Sequence, residues 1–357
     1  MIVSDVSIHT IHAPLKEPYT IAYDTISEVT NHFVVVRMHG GLCGIGCAAP
    51  APEVTGESVE ASRKALDIFA GKAPGFAIDA LPLPSAETPS ALAAVDLARF
   101  DVLARRASTS MAGLFGHPDA ARRPEETSIT IGISGVKATL QRARSLYVEG
   151  FRFFKVKGGH DVESDIERLR MLRSTFGPEI RLALDANQGY RLSDVERLER
   201  DAQLLNLLYL EQPTPKEDLA MLGQAAELTH VPVMADESVQ NVQDVQRIAQ
   251  AGPVALINIK LQKMGGLAAA QAIDEAASDH QMGTMLGCMD ESALSIAAAL
   301  HFGATHPNVL YLDLDGHLDL QEDPFESLVR LDGNGRLSTP SGLGLGWSTV
   351  PFCQDRT

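Results

Sequence analysis

Five charged residues recur at nearly constant intervals in the second half of the chain: Lys157, Asp185, Glu211, Asp236 and Lys260. Successive members are separated by 28, 26, 25 and 24 residues. Each follows a short apolar run, so each is predicted to end a buried strand. Where strands alternate with helices in a barrel, the carboxyl ends of the strands form one rim, on which catalytic side chains are placed. We therefore expect these five side chains to converge on one site.

The three carboxylates, Asp185, Glu211 and Asp236, would come from three adjacent strands. Carboxylates this close repel one another unless a cation lies between them. An all-oxygen ligand set suits Mg²⁺ better than zinc, which prefers nitrogen and sulfur. The sequence therefore predicts a site for one divalent cation, with Asn187 and Glu237 placed beside the ligands to orient them.

Lys157 and Lys260 flank the carboxylates in strand order, so we expect them to approach the metal from opposite sides. Lys155 lies two residues before Lys157 and so points to the same side of its strand. A solvated Lys-x-Lys pair is the alternative, but this pair follows an apolar run and precedes two glycines. A metal that binds a substrate carboxylate between two lysines allows one to remove the α-proton and the other to return a proton to the opposite face.

The elements that must carry these residues repeat from about residue 128 as a short apolar strand, a turn and an amphipathic helix. Eight strands are predicted, at residues 129–133, 153–157, 182–185, 207–211, 232–236, 256–260, 284–287 and 309–313. After the second strand, apolar residues step by 4, 3, 3 and 4 positions, as in a helix that faces a sheet: Val162, Ile166, Leu169, Leu172 and Phe176. This alternation predicts parallel strands that close into a β/α barrel.

The N-terminal third has a different pattern. Residues 31–39 alternate apolar and polar side chains, and Gly40 and Gly41 then interrupt the run as a hairpin turn would. Residues 57–70 and 89–106 have the apolar spacing of helices. A small α+β domain is predicted here.

Composition limits the function classes. The formal net charge of -16 over 357 residues argues against nucleic acid or an anionic membrane surface as a partner. The N-terminus lacks the features of a signal peptide, and no apolar run approaches the roughly 18 residues needed to span a membrane.

The four cysteines, Cys43, Cys47, Cys288 and Cys353, lack zinc-site spacing. We expect a reduced, cytoplasmic protein, with a bridge or a soft-metal pair at Cys43 and Cys47 as the alternatives.

Five segments together resemble the muconate-lactonising-enzyme subgroup of the enolase superfamily: residues 155–157, 184–189, 210–213, 234–238 and 257–260. The likeness extends to residues 13–15, 55–58 and 342–346, and so covers nearly the whole chain. It implies a modified TIM barrel, (β/α)₇β, over residues 126–324. It also implies an α+β capping domain over residues 1–125, completed by the C-terminal tail from about 325 to 357. Mg²⁺ is the implied cofactor.

Asp313-Leu314-Asp315, at the end of the eighth strand, resembles the Asp-x-Asp motif with which dipeptide epimerases hold the substrate's α-ammonium. Strand periodicity would put both carboxylates on one side. Cys288 and Met289 resemble that family's seventh-strand segment, and Thr130 on the first strand is included in the expected substrate pocket. The resemblance therefore implies epimerisation at the C-terminal residue of a dipeptide.

Three alternatives stay open. One is an N-succinylamino acid racemase or a cycloisomerase of the same subgroup, whose substrates are anionic where Asp313 and Asp315 would contact them. Another is a metal-binding protein without turnover, although both lysines and all three carboxylates are present. The aspartate pair could also lie in a surface turn before Gly316. The oligomeric state is not determined, and a homo-oligomer is among the options.

The sequence departs from the family pattern at three positions. Asp24 stands where Ala-Glu epimerases commonly carry an arginine, and Asp290 stands where apolar residues are frequent. Aspartates there would repel a glutamate side chain and attract lysine or arginine, so we hypothesise that the C-terminal residue of the substrate is non-acidic or cationic. The alternative is that Asp24 points into solvent. Cys47 replaces a common glutamate, an exchange without an explanation at this level. His160 and His317 are predicted to be solvated loop histidines.

Overall fold

The computed structural model describes residues 1–20, 25–349 and 352. The strands are β1 (Val3–Thr20), β2 (Thr25–Met38), β3 (Cys43–Ala48), β4 (Glu125–Glu126), β5 (Ile129–Ile131), β6 (Phe153–Lys157), β7 (Arg181–Asp185), β8 (Leu207–Glu211), β9 (Val233–Ala235), β10 (Leu256–Lys260), β11 (Gly283–Gly287), β12 (Val309–Asp313), β13 (Arg330–Leu331) and β14 (Arg336–Ser338).

The α-helices are α1 (Pro52–Thr55), α2 (Val59–Lys72), α3 (Pro89–Arg106), α4 (Met111–Leu114), α5 (Val136–Val148), α6 (Val162–Phe176), α7 (Leu192–Glu199), α8 (Ala202–Leu205), α9 (Leu219–Leu228), α10 (Val242–Ala251), α11 (Leu261–Met264), α12 (Leu267–Asp279) and α13 (Ala293–Gly303). None of the helices in the described part of the chain is long and apolar enough to cross a membrane.

The N-terminal sheet consists of β1, β2 and β3 in antiparallel order. The predicted hairpin turn joins β2 to β3, and both Gly40 and Gly41 adopt positive φ there. Helix α3 packs closely on β3, since a Cβ atom at Gly46 would lie 1.8 Å from the carbonyl oxygen of Ala94. The prediction of an α+β N-terminal region is confirmed, with α2 displaced by two residues from its predicted bounds.

Strands β5 to β12 form one parallel sheet in chain order, with a helix in each of the seven connections. The amide of Ser128 donates to the carbonyl of Leu312 at 2.9 Å, which brings the first and last strands together. The predicted (β/α)₇β barrel is confirmed. Two strand ends differ from the prediction: β5 stops at Ile131, and β9 stops before Asp236. The amide of Asp236 donates to the side chain of Gln212 at 2.9 Å instead of joining the strand ladder.

Helix α6 shows how the sequence positions the barrel. Asp161 caps its first turn by accepting hydrogen bonds from two backbone amides, and Gly177 ends it with a φ of 69°. The middle of its predicted apolar stripe, Ile166, Leu169 and Leu172, is buried against the sheet. Burial of each such side chain contributes roughly 1.5–3 kcal/mol.

The barrel interior below the rim is filled by six side chains, so it is a core and not a channel: Phe153, Ala183, Tyr209, Met234, Leu256 and Met285. Cys47 and Cys288 are free thiols, so the alternative of a Cys43–Cys47 bridge is wrong. Cys353 lies outside the described residues.

Candidate active site

Strand register turns the regular sequence spacing into neighbouring side chains. Lys157 on β6 is the Cα partner of Asp185 on β7, and Asp185 is the partner of Glu211 on β8. Asp236 follows β9 directly, and Lys260 is the last residue of β10. The three carboxylate residues are at most 2% exposed. The five residues predicted from their spacing therefore lie on one rim of the barrel.

Each carboxylate contacts a lysine ammonium. Lys157 Nζ lies 2.7 Å from Asp185 Oδ2, and Lys260 Nζ lies 2.8 Å from Asp236 Oδ2. Lys155 Nζ is 3.5 Å from Glu211 Oε2 and 3.7 Å from Asp185 Oδ2. The structure thus places Lys157 and Lys260 at opposite ends of the row of carboxylates, with Lys155 on the same side of β6 as Lys157.

The charges of the row are unevenly balanced. Burial and the nearby Asp185 raise the pKa of Glu211 to about 8. Burial would also raise the pKa of Asp236, but the ammonium groups of Lys260 and Lys263 outweigh it and hold that pKa well below its usual range. Glu211 is therefore the member of the row that most lacks positive charge.

The donor chemistry of this row fits a hard divalent cation. Asn258 Nδ2 donates to Glu211 Oε1 at 2.8 Å, whereas Oε2 is buried and accepts no hydrogen bond. Within the described ranges, no three aspartate, glutamate, histidine or cysteine side chains are already grouped around one point as metal ligands. Because the donors are all carboxylate oxygens and one buried oxygen lacks a donor, Asp185, Glu211 and Asp236 fit Mg²⁺.

Two residues of β10 and α11 complete the row and were not predicted. Lys263 is 3% exposed, and its Nζ donates to Asp236 Oδ1 at 2.5 Å and to the carbonyl of Asn258 at 3.2 Å. Asn258 precedes Lys260 by two positions on a strand, so alternation alone could have identified it. No such signal marks Lys263, which reaches the site from the first turn after the strand.

The loops after β7 and β8 adopt conformations that are rare for residues with side chains. Asn187, Gln188 and Gln212 have φ values of 41°, 68° and 33°. Gln212 is fully buried, and its Oε1 accepts from the amides of Asp236 and Ser238 at 2.9 and 3.2 Å. Its side chain therefore holds the next loop of the rim in place.

The two residues predicted to support the ligands lie together. Asn187 Nδ2 donates to Glu237 Oε1 at 3.4 Å, and the amide of Asn187 donates to Asp185 Oδ1 at 3.0 Å. Burial and the neighbouring Asp236 raise the pKa of Glu237. Asn187 thus links the carboxylate of Asp185 to that of Glu237.

Asp313 and Asp315 are both buried but have different partners. Asp313 pairs with Lys155 and accepts from Ser128 Oγ at 2.5 Å. Asp315 lies beyond β12 with helical backbone angles and accepts from the amide of Thr130 at 2.7 Å. Strand periodicity therefore does not explain their proximity, and the alternative of a surface turn is wrong. Burial and Asp313 raise the pKa of Asp315.

The segment after β11 lies beside this pair and the N-terminal sheet. Cys288 Sγ accepts from the amide of Gly316 at 3.3 Å and lies 3.9 Å from Asp315 Oδ1. Met289 and Asp290 are half-buried, and the carbonyl of Asp290 accepts from Asn31 Nδ2 at 3.3 Å. Asp24, the other proposed specificity residue, lies outside the described residues.

Buried polar contacts join the N-terminal sheet to the barrel. Asn31 Oδ1 accepts from the amide of Ser292 at 3.0 Å and from Cys47 Sγ at 3.1 Å, which gives Cys47 a structural role. The fully buried Gln262 accepts from the amide of Ala49 at 2.9 Å and donates to Glu291 Oε2 at 2.8 Å. Sequence reasoning identified none of these contacts, because periodicity along the chain does not show which polar side chains meet in the fold.

The two loop histidines differ. His160 is exposed, as predicted. His317 is only 8% exposed, so its prediction as a solvated residue is wrong. It lies in a short 3₁₀ turn that packs beside β1, where Leu15 and Leu320 form an isolated bridge. Burial lowers the pKa of His317 to about 4.

A (β/α)₇β barrel beside an N-terminal α+β region, with three carboxylates and flanking lysines on its rim, defines an enolase-like protein. Residues 138–350 match the family described as enolase C-terminal domain-like. Residues 4–116 match the N-terminal domain of the mandelate racemase/muconate lactonizing enzyme family. The chain therefore belongs to the mandelate racemase/muconate lactonizing enzyme family of enolase-like proteins, as the sequence motifs predicted.

Its curated relatives include dipeptide epimerases. The L-Lys-D/L-Arg epimerase of Methylococcus capsulatus is 39% identical over 97% of this chain and 99% of that protein. The hydrophobic dipeptide epimerase of Enterococcus faecalis is 31% identical over 98% of this chain and 100% of that protein. A crystal structure of the Methylococcus capsulatus dipeptide epimerase with Mg and L-Arg-D-Lys superposes with a TM-score of 0.90 at 38% identity, over 97% of this chain and 99% of that one. Epimerases are isomerases, and the prediction of an isomerase is confirmed.

Proposed function

We propose that this protein is a Mg²⁺-dependent dipeptide epimerase that transfers a proton at the α-carbon of the C-terminal residue. The observation that carries the proposal is the placement of Lys157 and Lys260 at the two ends of one row of buried carboxylates. Two amines on opposite sides of a substrate are what inversion of a stereocentre requires.

Asp185, Glu211 and Asp236 are the residues that would hold the metal. When bound, Mg²⁺ supplies the positive charge that stabilises negative charge developing on a substrate carboxylate. One of the two lysines, as a neutral amine, removes the α-proton. The other, as an ammonium, delivers a proton to the opposite face, and the two exchange roles in the reverse reaction.

Lys155 has a different role from its neighbour Lys157. Burial opposes its charge, but Asp313, Glu211 and Asp185 outweigh burial and raise the pKa of Lys155 well above its usual value. Because the Lys155 ammonium contacts Asp313, Glu211 and Asp185, whereas Lys157 and Lys260 each pair with one carboxylate of the row, we assign Lys155 the role of a fixed positive charge that supports catalysis and not that of a base.

The buried acids after β12 would hold the other end of the substrate. Because Lys155 already balances Asp313, the carboxylate of Asp315 is the one left to receive the substrate's α-ammonium. Thr130 orients Asp315 through its backbone amide, and Cys288 and Met289 line the adjacent segment. An N-acylated amino acid presents no cation at this end, so the position of Asp315 favours a dipeptide with a free amine over an N-succinylamino acid.

We propose further that the C-terminal residue of the substrate is cationic. Asp290 lies half-buried where the segment after β11 meets the N-terminal sheet, and the sequence adds Asp24. The greater similarity to the L-Lys-D/L-Arg epimerase than to the hydrophobic dipeptide epimerase supports this preference.

We propose that residues 1–125 and the tail from about 325 to 357 form a capping domain, and that residues 126–324 form the catalytic barrel. Two contacts of the tail support it. Strand β14 pairs with β4 at residues 125–126, and Trp347 Nε1 donates to Asp101 of α3 at 2.7 Å.

The test is deuterium incorporation from D₂O, followed by mass spectrometry across a library of L,L-dipeptides with and without Mg²⁺. We expect metal-dependent label at the α-carbon of the C-terminal residue, and faster exchange for L-Ala-L-Lys than for L-Ala-L-Glu. Absence of label from every dipeptide, with exchange of N-succinylamino acids, would refute the assignment. Faster exchange of L-Ala-L-Glu would refute only the cationic preference.

A further inference from the structure

A buried polar cluster lies directly behind Lys157 and has no part in the chemistry described above. It consists of Asp165 and Arg168 on α6 and Tyr190 in the loop after β7. Their exposed fractions are 2%, 2% and 3%. We call these three residues the α6 cluster.

The α6 cluster makes hydrogen bonds to the backbone of Lys157 and Gly159. Arg168 Nη2 donates to the carbonyl oxygen of Lys157 at 2.7 Å and also pairs with Asp165 Oδ1. The other oxygen of Asp165 accepts from the amide of Gly159 at 2.8 Å and from the hydroxyl of Tyr190 at 2.7 Å. The backbone is thus held on both sides of Gly158.

The turn that follows Lys157 is pressed against this cluster. A Cβ atom at Gly158 would lie 2.5 Å from Asp165 Oδ2, and one at Gly159 would lie 2.0 Å from the carbonyl oxygen of Ala186. Gly159 also has a φ of 100°, which favours glycine. A change in the cluster would therefore be transmitted to the turn and to the strand end that carries Lys157.

Packing alone does not require charges here. A buried ion pair loses much of its solvation, and apolar residues of similar volume often stabilise a fold as well or better. In this pair, moreover, Arg168 Nη1 is buried without a hydrogen-bond partner. The ion pair does supply a directed hydrogen bond to the carbonyl oxygen of Lys157, which apolar side chains could not supply.

We propose that Arg168, oriented by Asp165 and Tyr190, is a positioning residue that aims the amine of Lys157 at the substrate's α-carbon. The inference rests on the proposed function. Lys260 is held separately, by Asp236 on the other side of the row, so the influence of Arg168 is one-sided. Loss of Arg168 would slow proton transfer at Lys157 and leave transfer at Lys260 nearly unchanged.

The test measures α-proton exchange in D₂O separately from the two epimers of one dipeptide. The ratio of the two rates is compared among the wild type, Lys157→Gln and Lys260→Gln, which define the bias that each lysine produces. In Arg168→Met and Arg168→Lys we expect a ratio shifted in the same sense as in Lys157→Gln. Because a misplacement of about 1 Å can cost about 100-fold, the expected shift is about 10- to 100-fold.

Two further variants separate positioning from general destabilisation. Tyr190→Phe removes one hydrogen bond to Asp165 and should shift the ratio in the same sense by a smaller factor. Arg105→Met breaks another largely buried ion pair, between Arg105 and Asp101 on α3 at 3.1 Å, and should leave the ratio unchanged. Equal losses from both epimers in the Arg168 variants, or a bias like that of Lys260→Gln, would overturn the inference.

A second readout does not depend on turnover. Lys157 is 27% exposed, so its amine can be reductively methylated with ¹³C and its NMR signal identified by its absence in Lys157→Gln. The signal should move in Arg168→Lys and Tyr190→Phe and stay in place in Arg105→Met. An unmoved signal in both cluster variants would overturn the positioning role. Absence of exchange by the wild type with every dipeptide would instead refute the proposed function.

Discussion

The ammonium of Lys263 lies 2.5 Å from Asp236 Oδ1, and both residues are buried. Lys260 contacts the other oxygen of the same carboxylate at 2.8 Å. One proposed metal ligand is therefore neutralised from two sides, while Glu211 has one ammonium at 3.5 Å. The distribution of positive charge within the row is a property of the tertiary structure.

We predict that Lys263→Met destabilises the protein by about 3 kcal/mol, because it removes one partner of a buried charge. Mg²⁺ would supply charge that methionine lacks, so it should raise the melting temperature of the variant more than that of the wild type. Thermal unfolding with Mg²⁺ and with EDTA measures both effects. Lys137→Met, at an exposed lysine, is the control. An equal response to Mg²⁺ in wild type and variant would contradict the prediction.

Lys157→Gln and Lys260→Gln should each abolish epimerisation, since inversion needs both amines. Each variant should still exchange the α-proton of one epimer, and the two variants should retain opposite epimers. NMR of both dipeptide epimers in D₂O measures this. Retention of the same epimer by both variants would show that the lysines do not act on opposite faces.

Asp315→Asn should weaken the hydrogen bond to the substrate's α-ammonium. A hydrogen bond to a charged group contributes about 1.5–3 kcal/mol, so we expect KM to rise about 10- to 100-fold with little change in kcat. The N-acetylated dipeptide, which lacks the ammonium, should be a poor substrate for both proteins and show no such difference. A fall in kcat at constant KM would argue for a different role.

Asp290→Asn should lower kcat/KM for L-Ala-L-Lys about 5-fold, the effect of about 1 kcal/mol from one partly exposed charge. Asp290→Lys should shift the preference towards L-Ala-L-Glu. Both changes leave the backbone carbonyl that accepts from Asn31 in place. Unchanged relative rates for the two dipeptides in both variants would exclude Asp290 from the specificity site.

His301 on α13 should make the fold sensitive to acid. Its ring nitrogens are buried without hydrogen-bond partners, and burial lowers its pKa from 6.5 to about 4. Between these values the unfolded chain binds the proton and the folded chain does not, so stability falls as pH falls. The loss reaches about 2 kcal/mol at pH 5.

His301→Leu removes this contribution. Urea unfolding at pH 7.5 and pH 5 should show a smaller loss of stability in the variant, whereas the exposed His160→Leu should behave as the wild type does. His317, whose pKa is also about 4, would account for part of the loss that remains. The same pH dependence in His301→Leu and wild type would contradict the prediction.

The sequence alone was enough for the barrel and for the row of charged residues. Short apolar runs that alternate with amphipathic helices predict parallel strands. A charged residue directly after each apolar run marks the carboxyl end of that strand. This local pattern recurs at nearly constant intervals, so it predicts that Lys157, Asp185 and Glu211 lie side by side. Their register in β6, β7 and β8 agrees.

Only the tertiary structure decided which charges balance one another. Lys155 pairs with Asp313 across 158 residues, and Gln262 joins Ala49 to Glu291. His317 looked like a loop residue and is buried by a turn that folds back on β1. Such contacts depend on how distant segments pack, and burial in turn sets the strength of each charge interaction. Periodicity along the chain shows neither the packing of distant segments nor the burial of each charge, so only the tertiary structure determines these partners.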